Sequence, residues 1–125
     1  MFVLDSHCDT PSQILRLRDL SKDNAYAHVD FPKLNRGGVD AAFFALYVPA
    51  RLASAEGFEY AERLLKGVQV AVSENAGVAA FAVSEEQAIE NKANSLFSVF
   101  LGLENGAPIG DDLSKVKYFY NKGVR

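Results

Sequence analysis

Four apolar runs punctuate the chain, and between them the spacing of apolar positions changes. Phe2-Val3-Leu4 is the first and shortest. Ala41 to Val48 is apolar throughout and is stopped by Pro49. Val78 to Val83 is the third, and Leu96 to Leu103, interrupted only by Ser98 and Gly102, is the fourth. Continuous apolar runs predict strands covered on both faces, which is the habit of parallel sheets.

Helical spacing fills the intervals. Phe58, Ala61, Leu65, Val68 and Val72 recur every three or four residues and predict one amphipathic helix, with Gly77 as its C-terminal stop. Ser84, followed by Glu85, Glu86 and Gln87, reads as a capping box whose side chains satisfy the free amides of a helix start. Asp111 and Asp112 sit where a helix dipole favours acids. Leu113, Val116 and Tyr120 then predict an apolar stripe, closed by Gly123. A further helix is expected near Pro11. The stretches 21–27 and 50–57 read as loops, and Gly37-Gly38 reads as a tight turn because the pair precedes a strand instead of following one.

Strand and helix thus alternate four times. The pattern predicts an α/β fold with a parallel sheet and right-handed crossovers, its four strands neighbours in chain order. Two closures fit it. One is a small open sheet, complete in itself. The other is the N-terminal part of an eight-stranded (β/α) barrel, which usually needs roughly 250 residues.

Composition narrows the partners. At 125 residues the chain suits one domain, and 49% apolar against 23% charged residues is enough for a core. The net charge of −3 has no basic cluster behind it, which argues against nucleic acid or an anionic membrane as the main partner. No apolar run reaches the roughly 18 residues of a spanning helix. The first residues lack the pattern of a signal peptide, so the chain carries no address and its localisation stays open. Cys8 is the single cysteine, so no internal disulfide forms.

Two places carry candidate chemistry. In Asp5-Ser6-His7-Cys8-Asp9, expected directly after the first strand, His7 and Asp9 are two apart and face the same way in extended chain. An imidazole and a carboxylate suit a divalent ion such as zinc. The plainer alternative is that Asp9 caps the helix near Pro11. Cys8, between them, faces the other way and reads as a small buried residue. The second place is Glu104 in Gly102-Leu103-Glu104-Asn105-Gly106. A carboxylate at the end of a buried strand is costly unless paired or metal-bound. The alternative is a solvated loop acid. His28 reads as a structural or exposed loop residue, and Tyr118 and Tyr120 as packing.

Several segments together resemble one family. Asp5-Ser6-His7-Cys8-Asp9-Thr10-Pro11 is similar to the Asp-Gly-His-Asn-Asp opening of the membrane dipeptidase (renal dipeptidase) family. His28 to Val39 resembles that family's next block, and the strand from Phe43 to Pro49 follows it as there. Gly102 to Gly106 resembles the Gly-x-Glu-Gly-Gly block, and Tyr120 to Arg125 the turn into a further strand. The resemblance implies that residues 1–125 are the N-terminal portion of one barrel metallohydrolase domain. It implies two zinc ions in the full enzyme. His7 and Asp9 would bind one, and Glu104, the catalytic carboxylate, would bridge both. Two histidines from later strands would complete the second site, so this chain by itself would hold at most one ion and show weak activity at most. The implied substrate is a dipeptide, cleaved by a metal-activated water. Half a barrel would also leave open sheet edges, and association between copies is expected.

The chain departs from the family pattern at three places. Asn105 stands for a glycine, Ala107-Pro108 stands where many relatives have a histidine, and Phe44 holds a position often filled by Trp. These leave the three ligands in place and put substrate preference in question. Two alternatives remain at this level. One is a different barrel metal hydrolase acting on another amide, against which His-x-Asp in place of His-x-His counts. The other is a self-contained, non-catalytic α/β binding module.

Overall fold

Parallel pairing runs through the whole sheet, as the continuous apolar runs predict. The computed structural model describes all of residues 1–125. In chain order it contains β1 (Leu4–Cys8), α1 (Thr10–Ile14), α2 (Phe31–Arg36), β2 (Ala41–Tyr47), α3 (Ser54–Glu74), β3 (Ala79–Phe81), α4 (Glu85–Ala93), β4 (Phe97–Glu104) and α5 (Ser114–Asn121). No helix is long and apolar enough to cross a membrane.

The strand order corrects one expectation. It is β1-β2-β4-β3, so the last two strands are exchanged relative to the chain. The cause lies in strand length. β2 and β4 match residue for residue from Ala41↔Ser98 to Tyr47↔Glu104. β3 has only three residues and pairs with Phe97, Ser98 and Val99 alone. Further along the same edge of β4, Leu101 bridges Val124 instead. The outer edge of β4 is therefore divided between two neighbours.

This exchange decides where the helices lie. Side chains alternate across a strand, so Ala42, Phe44 and Leu46 share one face of β2, and Ala41, Phe43 and Ala45 the other. The first face forms the main core with Cys8, Phe97, Val99 and Leu101, packed under Leu64, Leu65, Val68 and Val72 of α3. Phe44, Leu46, Leu64, Val68 and Val99 are fully buried there. The second face forms a smaller cluster of Ala41, Ala82 and Phe100 with Ala88 of α4, and Phe43 stacks on Phe100 at 4.9 Å. Travel through the sheet reverses between β3 and β4. A right-handed crossover then places α4 on the face opposite α3. Asn91 of α4 fastens it there, its Nδ2 donating to Ser98 Oγ at 3.0 Å.

Several boundaries differ from the sequence reading. β1 begins at Leu4, so Asp5-Ser6-His7-Cys8 lies within the strand and not after it. Its register slips between Asp5 and Cys8, which pair with Ala42 and Phe44. α3 starts at Ser54, inside the expected loop, and Gly57 is a buried helical residue against Val48 and Ala107. α3 ends before Gly77: Asn75 terminates it, its side chain donating to the Ala71 carbonyl at 2.8 Å. The capping box holds, with the Gln87 amide donating to Ser84 Oγ and the Gln87 side chain accepting from the Val83 amide. The stripe expected on α5 is outside: Leu113, Val116 and Tyr120 are exposed, and Phe119 is the buried residue. Phe119 and Tyr118 pack on Phe58 of α3, which turns the predicted stripe to solvent.

Candidate metal centre

The C-terminal ends of β1 and β4 converge on one side of the sheet, with the end of β2 between them. The slipped register of β1 is a local irregularity of the kind that re-aims side chains beside a site. Asp5 supports it by accepting the His7 backbone amide at 3.1 Å. His7 and Asp9 point the same way, His7 Nε2 lying 3.3 Å from Asp9 Oδ1. Asp9 occupies the N-cap position of α1, yet its side chain makes no capping hydrogen bond. The plainer reading of Asp9 as a cap is thereby answered: its carboxylate faces the imidazole.

Glu104 arrives from the far side of β2. Its Oε2 lies 3.3 Å from His7 Nε2. The donor atoms of His7, Asp9 and Glu104 all fall within 4.8 Å of one another. Part of the Glu104 side chain is open to solvent, but Oε2 itself is buried, and because its contact with His7 Nε2 lacks hydrogen-bond geometry it has no hydrogen-bond partner. A buried carboxylate oxygen without a donor is expensive. A divalent cation would resolve it. Tetrahedral ligands about 2.0–2.2 Å from zinc stand about 3.3–3.6 Å apart, and both contacts of His7 Nε2 match that separation. Two carboxylates and one imidazole also neutralise a dication and suit it chemically. The residues present fit the ion.

Cys8 does not join them. It faces the main core, its Sγ 2.9 Å from Thr10 Oγ1, and burial pushes its thiol above the ordinary 9.0. A neutral buried thiol is neither ligand nor nucleophile. His28 is exposed and apart from His7, Asp9 and Glu104. Asp30 escaped the sequence reading. It is fully buried, caps α2 through the Lys33 amide and pairs with Lys33 Nζ. The signal that would have found it is the Asp30-Phe31-Pro32 pattern of a helix start.

With this geometry in view, the comparison with known sequences is decisive. Residues 1–125 match the membrane dipeptidase family, peptidase family M19, along their whole length. The chain belongs to that family. No curated protein sequence matches it. Among solved structures, dipeptidase AC, a metallopeptidase of family M19, superposes with a TM-score of 0.91 at 22% identity; the match covers 100% of this chain and 41% of that one. A metallopeptidase from Rhodobacter sphaeroides, solved with a phosphinate mimic of the dipeptide L-Ala-D-Ala, gives 0.91 at 19% identity, covering 100% and 44%. The probable dipeptidase PvdM from Pseudomonas aeruginosa gives 0.83 at 19%, covering 100% and 33%. The chain thus spans less than half the length of these relatives, and its fold is the N-terminal part of the membrane dipeptidase barrel.

Proposed function

We propose that this chain carries the first ligand set of a zinc-dependent dipeptidase, with His7 and Asp9 on one cation and Glu104 shared between that cation and a second. The observation that supports it best is the orphaned Oε2 of Glu104, held 3.3 Å from His7 Nε2 at the end of a parallel sheet. Barrel enzymes place their catalytic groups at this end. Bound as a pair, the two cations supply Lewis acidity, polarising a carbonyl oxygen and lowering the pKa of a water.

The chain's own residues do the holding. His7 offers Nε2 from a strand whose opposite face is locked by Cys8 in the core. Asp9 offers its carboxylate from the first turn beyond that strand. Glu104 offers a charge that two cations can share, which a neutral side chain cannot. Histidines for the second cation are absent, since His7 and His28 are the only two. Residues 1–125 alone therefore hold at most one cation and support weak hydrolysis at most. The substrate class is a dipeptide, in keeping with the phosphinate-bound relative.

The test uses the protein as it is naturally produced. Metal content is measured by mass spectrometry, and hydrolysis is followed on a panel of dipeptides with L and D second residues. Expected are bound zinc, loss of hydrolysis on chelation and its return with zinc. Full activity after complete metal removal would reject the reading.

A further inference from the structure

We propose that Asn105 is a positioning residue for Glu104, holding that carboxylate at the metal centre by lengthening the β2–β4 ladder with its side chain. The inference rests on the metal-centre reading above.

The backbone ladder closes with the Val48 amide donating to the Glu104 carbonyl at 3.1 Å. The next acceptor along β2 is the Val48 carbonyl, on a residue with no exposed surface. Asn105 Nδ2 donates to it at 2.8 Å. On its other side, Asn105 Oδ1 accepts the Ala107 amide at 3.0 Å. One side chain thus ties the turn after Glu104 both to the neighbouring strand and to its own continuing chain.

The backbone of Asn105 makes this possible. Its φ is 84°, in the left-handed region. Asparagine tolerates that region better than most L-residues, whereas glycine enters it freely. Glycine, the residue of the family pattern, would give the same turn but offer no donor. The Val48 carbonyl would lose its partner, and the chain after Glu104 would be free to shift. Glu104 is the residue just before the turn, so a shift there moves its Cα and the origin of its side chain. Groups that orient metal ligands typically govern affinity by about 10–100-fold.

The probe is Co2+ alone, titrated into the metal-stripped, naturally produced protein and followed by its visible absorption. Asn105→Gly keeps the backbone conformation and deletes both side-chain bonds. It should keep its thermal midpoint within a few degrees of wild type, yet bind Co2+ about tenfold more weakly, with altered absorption bands. Asn105→Asp keeps an acceptor for the Ala107 amide but sets a carboxylate against the Val48 carbonyl. Its extra negative charge would by itself strengthen cation binding, so weaker binding in this variant supports lost positioning. Wild-type affinity and bands in both variants would overturn the role of Asn105. So would loss of fold in both, which would make the residue purely structural. Co2+ bands that survive His7→Ala, made with Asn105 intact, would instead overturn the metal-centre reading, and this inference with it.

Discussion

Asp9 and Asp30 stand at the same place in two Asp-x-Pro helix starts, and only Asp30 caps its helix. Asp30 accepts the Lys33 amide at 2.8 Å and the Asn24 amide at 3.1 Å, while Asp9 turns away to His7. The two should respond differently to truncation. Asp30→Ala takes the acceptor from two partly buried amides, while Lys33 keeps Asp23 and the Asn24 carbonyl, and should cost about 1–3 kcal/mol. Asp9→Ala should leave the urea midpoint near that of wild type and weaken cation binding. Urea unfolding and Co2+ titration on each variant check this; equal destabilisation by both would contradict it.

Asp30 and Lys33 set a pH dependence. Burial pushes the Asp30 carboxyl up, but the Lys33 ammonium and the Lys33 and Asn24 amides outweigh it and hold the group below its ordinary 3.8. Asp40 is also held below 3.8, chiefly by its bond to Lys92. Carboxyls depressed in the folded state add stability that is present above pH 3.8 and drains away as pH falls through the lower folded values. Lys33 is raised above 10.5, mainly by Asp30, so its share is complete below pH 10.5 and lost above. Thermal midpoints should fall steeply below about pH 4, and Asp30→Asn should flatten that fall. An unchanged slope in Asp30→Asn would refute the assignment.

Glu104→Gln separates charge from shape. The amide keeps the volume and the ladder but cannot hold two cations together. In the complete enzyme, turnover should fall by at least about 100-fold, with the thermal midpoint of the metal-free protein nearly unchanged. Metal content and turnover are read on one preparation. Normal occupancy of both cations with normal turnover would reject the bridging role.

Residues 1–125, taken alone, present an unpaired edge along β1 and the exposed stripe of Leu113, Val116 and Tyr120. Such edges and patches recruit other chains. Light scattering should show association, and Leu113→Lys with Val116→Lys should reduce it. A monodisperse 13.6 kDa species at high concentration would exclude it.

Much of this arrangement was legible in the residues because it is local. His7 and Asp9 share a face by their spacing, and Glu104 drew notice as a carboxylate ending an apolar run. Parallel alternation was enough to put all three at one end of the sheet. The order of β3 and β4 was not legible, since Val78 to Val83 reads like any other buried strand. Only competition for the long ladder of β2 moves it to the outside. The face of α5 was misread for a related reason. Leu113, Val116 and Tyr120 have helical spacing, but Phe58 of α3 offers its ring to Tyr118 and Phe119, and that partner is invisible in the α5 segment itself.

The placement of α4 has a consequence for traffic. Because this helix lies on the face opposite α3, it closes the lower end of the surface whose upper rim bears His7, Asp9 and Glu104. Ala88 and the stacked rings of Phe43 and Phe100 make a dry floor beneath the rim. A polar solute cannot drain through such a floor without being stripped of its water. The layer thus separates the rim from the far end of the strands by side chains that offer water no partner.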